Sequence, residues 1–193
     1  MRALLAPVCI ALALAGCGRS GASFKNTDIT GADYGRDFAL TDHTGKRRAL
    51  ADFRGKVVVM FFGYTRCPDV CPVTLAELKA VKEQLSEDGK RLQVLFVTVD
   101  PERDTPKLLA NYVPAFDPSF LGLYGDPVEI AKVAKDFRVF YQKAPGKTPG
   151  SYTVDHTAGS YVFDPQGRLR LFARHGNAAN LIADIRTLLR ASG

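Results

Sequence analysis

Cys67 and Cys71 stand four apart in the run CPDVC, directly after an apolar stretch, and His156 arrives alone from a distant segment. Two thiols at that spacing can close a disulfide or share one soft metal ion. A single imidazole can complete a three-ligand site. Two thiolates with one imidazole favour Cu(I), and can also hold Cu(II) or Zn(II). A structural zinc site is normally closed by four protein ligands. His43, in a hairpin turn, and His175, after the last strand, offer no convincing fourth. Three ligands leave an open position, which suits a metal that must be handed on. The competing use of the same sulfurs is a structural disulfide, although closing so small a loop gains little from chain entropy. Asp155 reads as a loop residue, with orientation of His156 as its alternative role. Asp69 reads as a local cap or turn residue.

The elements that must position these side chains follow from periodicity. Residues 38–50 form a hairpin around Asp42-His43-Thr44-Gly45. Residues 56–62 (KVVVMFF) and 92–99 (LQVLFVTV) are continuous β-branched and aromatic runs, as in strands buried on both faces. Between them, residues 72–85 place apolar side chains at helical spacing, so the thiols lie at a strand-to-helix corner. If both cysteines were helical they would share one face, about 6 Å apart along the axis. A helix amino terminus there would favour the thiolate form. Thr105-Pro106 and Asp126-Pro127 are helix-start signals, opening helices to about Phe116 and Phe137. Residues 161–163, the turn Asp164-Pro165-Gln166-Gly167 and residues 169–173 read as strand, turn and strand, before a last helix over 178–190. Residues 143–152, with two Pro and two Gly, read as a surface loop leading to His156. Strands alternating with helices predict one α/β domain with a central sheet covered on both sides.

The amino terminus reads differently. Arg2 precedes an almost unbroken apolar stretch to Ala15, too short to span a bilayer and built like a secretory signal peptide. It ends Leu14-Ala15-Gly16-Cys17, which resembles a bacterial lipobox. The expectation is therefore a signal peptide over 1–16, lipidation of Cys17, a flexible tether over 17–35 and a folded domain over 36–193. Loss of Cys9 and lipidation of Cys17 would leave Cys67 and Cys71 as the free thiols of an exported chain. Such a pair in an oxidising compartment needs a reason to exist. The net charge of +6 is spread along 193 residues, and no nucleic-acid motif accompanies it.

Three segments carry a resemblance to one family. Residues 63–72 (GYTRCPDVCP), 99–106 (VDPERDTP) and 154–157 (VDHT), the last followed by the 164–167 turn, resemble in order and spacing the motifs of the Sco/SenC proteins. The likeness runs from about Phe38 to the last helix. It implies a thioredoxin-like fold with an amino-terminal hairpin and a central mixed sheet flanked by helices. It implies a membrane-tethered protein that binds copper, as Cu(I) or Cu(II), through Cys67, Cys71 and His156. The partner it implies is the copper-receiving subunit of cytochrome c oxidase, whose dinuclear copper centre the family helps to assemble. The family is often held by an amino-terminal transmembrane helix. Here a lipid anchor on the periplasmic or outer side of a bacterial membrane is expected in its place.

By the same resemblance, Cys67 and Cys71 can interconvert between dithiol and disulfide. Delivery of copper is the first reading. The alternative is a thiol-disulfide reductase that keeps the partner's copper-ligand cysteines reduced, the one enzyme-like activity these residues suggest. Dedicated oxidoreductases of this fold have two residues between their cysteines and a proline before the later strand. This chain has three residues there, and no proline between Pro149 and Tyr161. A thiol peroxidase would need a Thr-x-x-Cys environment that Cys67 lacks.

Overall fold

The computed structural model describes residues 23–191; the expected signal peptide and Cys17 lie outside the described residues. Among the described residues, ten strands and four α-helices follow one another. The first half holds β1 (Thr27–Asp28), β2 (Ala39–Asp42), β3 (Arg47–Ala49), β4 (Val57–Gly63), α1 (Val70–Gln84), β5 (Leu92–Thr98) and α2 (Pro106–Tyr112). The second half holds β6 (Leu121–Tyr124), α3 (Pro127–Asp136), β7 (Tyr141–Pro145), β8 (Tyr152–His156), β9 (Ser160–Phe163), β10 (Leu169–Ala173) and α4 (Ala178–Arg190).

Eight strands form one mixed sheet in the order β1-β10-β9-β4-β5-β6-β2-β3. β4, β5 and β6 are parallel, and the strands outside them are antiparallel to their neighbours. Every residue of β4 and β5 is buried, because helices cover both faces of the sheet. On one face Phe61 meets Phe96, and Phe96 meets Tyr112 at the end of α2; α1 and α4 pack together on this side. On the other face Phe62 meets Phe137, the residue that ends α3, and Tyr161.

The helix starts form as the residue types dictate. The Thr105 hydroxyl accepts the Leu108 N–H at 3.2 Å. Asp126 and Glu129 close a reciprocal capping box at 2.8 and 3.0 Å. α2 stops at Tyr112, short of the expected Phe116, because Pro114 has no N–H to continue the ladder.

Two expectations need correction. Residues 143–152 are not one loop: β7 and β8 pair along Tyr141–Pro145 and Tyr152–His156, and the turn is confined to 146–151. β7 is mostly exposed and β8 mostly half-buried, so neither strand shows a clear apolar alternation. Nor does the tether extend to residue 35. Thr27 and Asp28 pair with Phe172 and Leu171 of β10. The Asp184 carboxylate of α4 accepts Lys25 N–H, Asn26 N–H and Asn26 Nδ2, each at 2.8 Å. Backbone pairing and one buried carboxylate hold this segment, so its polar composition hid its order.

Candidate metal centre

β4 delivers the chain to the site at Gly63. A Cβ there would lie 2.9 Å from Cys71 Sγ and 2.9 Å from the Phe96 ring, so only glycine lets the first turn of α1 come so close. The turn that follows is held from outside. Asp104 accepts the Thr65 N–H at 3.0 Å and its hydroxyl at 2.6 Å, and also the Thr98 hydroxyl at 2.7 Å. The Cys67 N–H then donates to the Tyr64 carbonyl at 3.2 Å. Cys67 therefore precedes the helix, and Cys71 sits in its first turn. The two do not share a helical face. Their sulfurs converge because the turn folds back, with the Cys71 N–H donating to Cys67 Sγ at 3.4 Å.

β8 brings His156 across from the other side of the cleft. Its Nε2 lies 3.6 Å from Cys71 Sγ. Its Nδ1 faces the Thr157 carbonyl at 3.1 Å. A carbonyl only accepts, so Nδ1 carries the proton and Nε2 turns its lone pair to the sulfurs. The ligand atoms of Cys67, Cys71 and His156 all lie within 4.8 Å of one another, a grouping that could hold a metal ion. Both cysteines are free thiols; Cys71 is fully buried and Cys67 half-buried. Tyr64 and Phe61 wall the imidazole edge-on, at 6.0 and 6.1 Å between centroids. The open side is a cleft of about 300 Å³ lined by Tyr64, Cys67, Pro68, Asp69, Val70 and His156 among others.

Burial sets the electrostatics. It pushes the Cys71 thiol well above its ordinary value, against a hydrogen bond from the Tyr64 backbone; the neighbouring Cys67 and Asp104 push it further. The helix terminus thus does not prevail at Cys71, contrary to the expected thiolate. Burial also lowers His156 below the usual imidazole value, so it is neutral at pH 7. A metal entering here would displace the Cys71 proton and meet an imidazole nitrogen, Nε2, that carries none.

The other candidates lie elsewhere. His43 Nδ1 accepts the Gly122 N–H at 3.0 Å, in the β2–β3 turn. His175 packs edge-on against Phe61 at 5.2 Å and is not in the ligand cluster. Asp155 is an exposed strand residue, not a loop residue. Asp69 occupies the N-cap position of α1 without a side-chain capping bond. The residues that reasoning from sequence missed are Tyr64, Asp100, Arg103, Asp104 and Tyr152, which surround the ligands. Four of the five lie inside the quoted motifs, but nothing in their spacing says what they touch.

The sequence profile of the SCO1/SenC family matches residues 26–190. The chain is 43% identical over 150 residues to the mitochondrial SCO2 homolog of Bos taurus, covering 77% of this chain and 56% of that protein. It spans about half the length of the curated relatives it matches. Among solved structures, it is similar to Bradyrhizobium japonicum ScoI with copper bound, at 43% identity and a TM-score of 0.72, covering 80% of this chain and 98% of that one. It is also similar to apo Sco1 from Thermus thermophilus, at 45% identity and a TM-score of 0.75, covering 86% and 97%. With the profile spanning nearly the whole described fold, and relatives this similar on either side of it, the chain belongs to the SCO1/SenC family.

Proposed function

We propose that this protein is a copper carrier, with Cys67, Cys71 and His156 as ligands and copper as cargo, serving the assembly of the dinuclear copper centre of cytochrome c oxidase. The observation that carries this reading is the convergence of two thiols and a neutral imidazole within 4.8 Å beside an open cleft. Two sulfurs and one nitrogen form a soft set that favours Cu(I). The similarity to a relative seen with copper bound supports the same metal.

In transfer, a thiolate of the receiving subunit enters from the open cleft. Cys67 borders that cleft and Cys71 is buried beneath, so Cys67 is the first ligand displaced. Cys71 and His156 hold the ion until the acceptor's second ligand arrives. Among the described residues no helix is long and apolar enough to cross a membrane. The leader over 1–16 and lipidation of Cys17 would export the domain and tether it to a bacterial membrane.

One observation favours thiol-disulfide exchange as a second reading. Both thiols are free, and the more accessible sulfur already accepts a helix-end N–H from Cys71. Anaerobic titration of the reduced full-length protein in detergent with Cu(I), against a competing chelator, separates the two. Tight one-to-one binding that weakens by more than about tenfold in His156→Ala is expected. Binding indifferent to His156 would move the weight to exchange chemistry at the cysteines.

A further inference from the structure

The ribbon that carries His156 stands apart from the main sheet. Its strands β7 and β8 pair only with each other, and a two-stranded ribbon alone is marginal in water. Side chains must therefore fix where His156 stands relative to the thiols. Most of that grip comes from the loop after β5. The Tyr152 hydroxyl donates to Asp100 Oδ1 at 2.8 Å. Arg103 Nη1 donates to the Tyr152 carbonyl at 2.8 Å, and the guanidinium lies 3.5 Å from the centroid of the same ring. Arg103 Nε pairs in turn with the buried Asp100 carboxylate, which leaves little freedom for either partner. Lys143, on β7, reaches Glu102 at 2.6 Å and approaches the Tyr152 ring at 4.7 Å.

The same loop also grips the other half of the site. Asp104 holds the backbone and hydroxyl of Thr65, two residues before Cys67. One five-residue segment thus touches both the imidazole-bearing ribbon and the thiol-bearing turn. Tyr64 adds a direct link, a hydrogen bond with the Val154 backbone. Metal–ligand bonds tolerate only a few tenths of an ångström, so whatever fixes this separation tunes affinity.

We infer that residues 100–104 act as a brace that sets the separation between the thiols and His156, with Arg103 and Tyr152 as positioning residues of the metal centre. The inference rests on the copper reading and adds to it the residues that hold the third ligand in place. Arg103 does not touch the ion. It acts through Tyr152 on the strand that presents His156.

The test is the Cu(I) affinity of the full-length protein in detergent for the wild type, Tyr152→Phe, Arg103→Lys, His156→Ala and the double variant Tyr152→Phe with His156→Ala. Tyr152→Phe removes one oxygen and keeps the ring, so it is the variant that keeps the fold. Each brace variant is expected to weaken copper binding about tenfold, the loss of one hydrogen bond to a charged group. Tyr152→Phe should then cost nothing further once His156 is gone, because its effect passes through that ligand. Brace variants with wild-type affinity would overturn the inference. So would an equal loss in the His156→Ala background, which marks a general effect on the fold. If His156→Ala alone left affinity unchanged, the copper reading itself would fall, and that result is read from a different variant.

Discussion

Gly63 ends β4 where the first turn of α1 passes over it. Its backbone conformation is open to any residue; the space is not. A methyl group would stand 2.9 Å from both Cys71 Sγ and the Phe96 ring, and neither neighbour is a flexible chain end. Gly63→Ala is therefore expected to lose about 1–3 kcal/mol of stability by overpacking and to displace the Cys71 sulfur from its partners. Urea unfolding and Cu(I) affinity measure the two effects. A variant unchanged in both would mean that the thiol can retreat without loss. Cys71 itself shows how residue chemistry depends on place. The same thiol at an exposed helix end would ionise readily, whereas burial holds it protonated.

Two hairpin turns use one device at the scale of elements. Asp42-His43-Thr44-Gly45 and Asp164-Pro165-Gln166-Gly167 both begin on a buried aspartate and end on a glycine with φ of +88° and +70°. Asp42 accepts the Thr44 N–H at 2.8 Å, its hydroxyl at 2.6 Å, Lys46 N–H at 3.1 Å and Arg48 Nε at 2.7 Å. Burial alone would raise its carboxyl. The bonds from Thr44, Arg48 and Lys46 outweigh burial and hold it at about 2, below the ordinary 3.8. A lowered value in the folded state means stability that is present above pH 4 and lost as pH falls towards 2. Its size is about 2 kcal/mol. Asp42→Asn should thus be less stable than wild type at pH 7, with the gap closing by pH 2. Chemical unfolding across that range checks it; a gap independent of pH would show that the carboxylate charge plays no part.

At the scale of the whole molecule, the amino-terminal arm is part of the fold. Asp184, on the last helix, is 1% exposed and spends its carboxylate on Lys25 and Asn26. β1 then adds a strand to the edge of the sheet through β10. Asp184→Ala is expected to cost about 2 kcal/mol and to free the arm without moving the thiols. Amide exchange at Asn26, whose N–H reaches Asp184, and at Ile29, whose N–H reaches the Arg170 carbonyl, together with tryptic cleavage at Lys25, reads the release. Unaltered protection at those amides would place the hold elsewhere. The docked arm also bears on the proposed anchor. From a lipidated Cys17 to Lys25 the extended chain reaches at most about 30 Å, which would keep the domain close to the bilayer.

Read alone, the residue order determined the buried strands β4 and β5, the caps at Thr105 and Asp126, both Asp-Gly hairpin turns and the identity of the thiol pair. Each is a local matter of periodicity, turn chemistry or a side chain reaching its own helix end, so neighbours in sequence suffice to specify it. His156 was legible through its motif, not through any spacing to the cysteines, because 85 residues separate it from Cys71. What only the tertiary structure decided is everything that depends on burial or on contacts between distant segments. Composition could not distinguish a docked polar arm from a tether, nor an exposed ribbon from a loop. Nor could it show that burial outweighs the helix end at Cys71, or that one loop grips both the thiol-bearing turn and the ribbon of His156. Those outcomes depend on desolvation and on hydrogen bonds across 30 to 160 residues of chain, and such terms exist only once the sheet has closed.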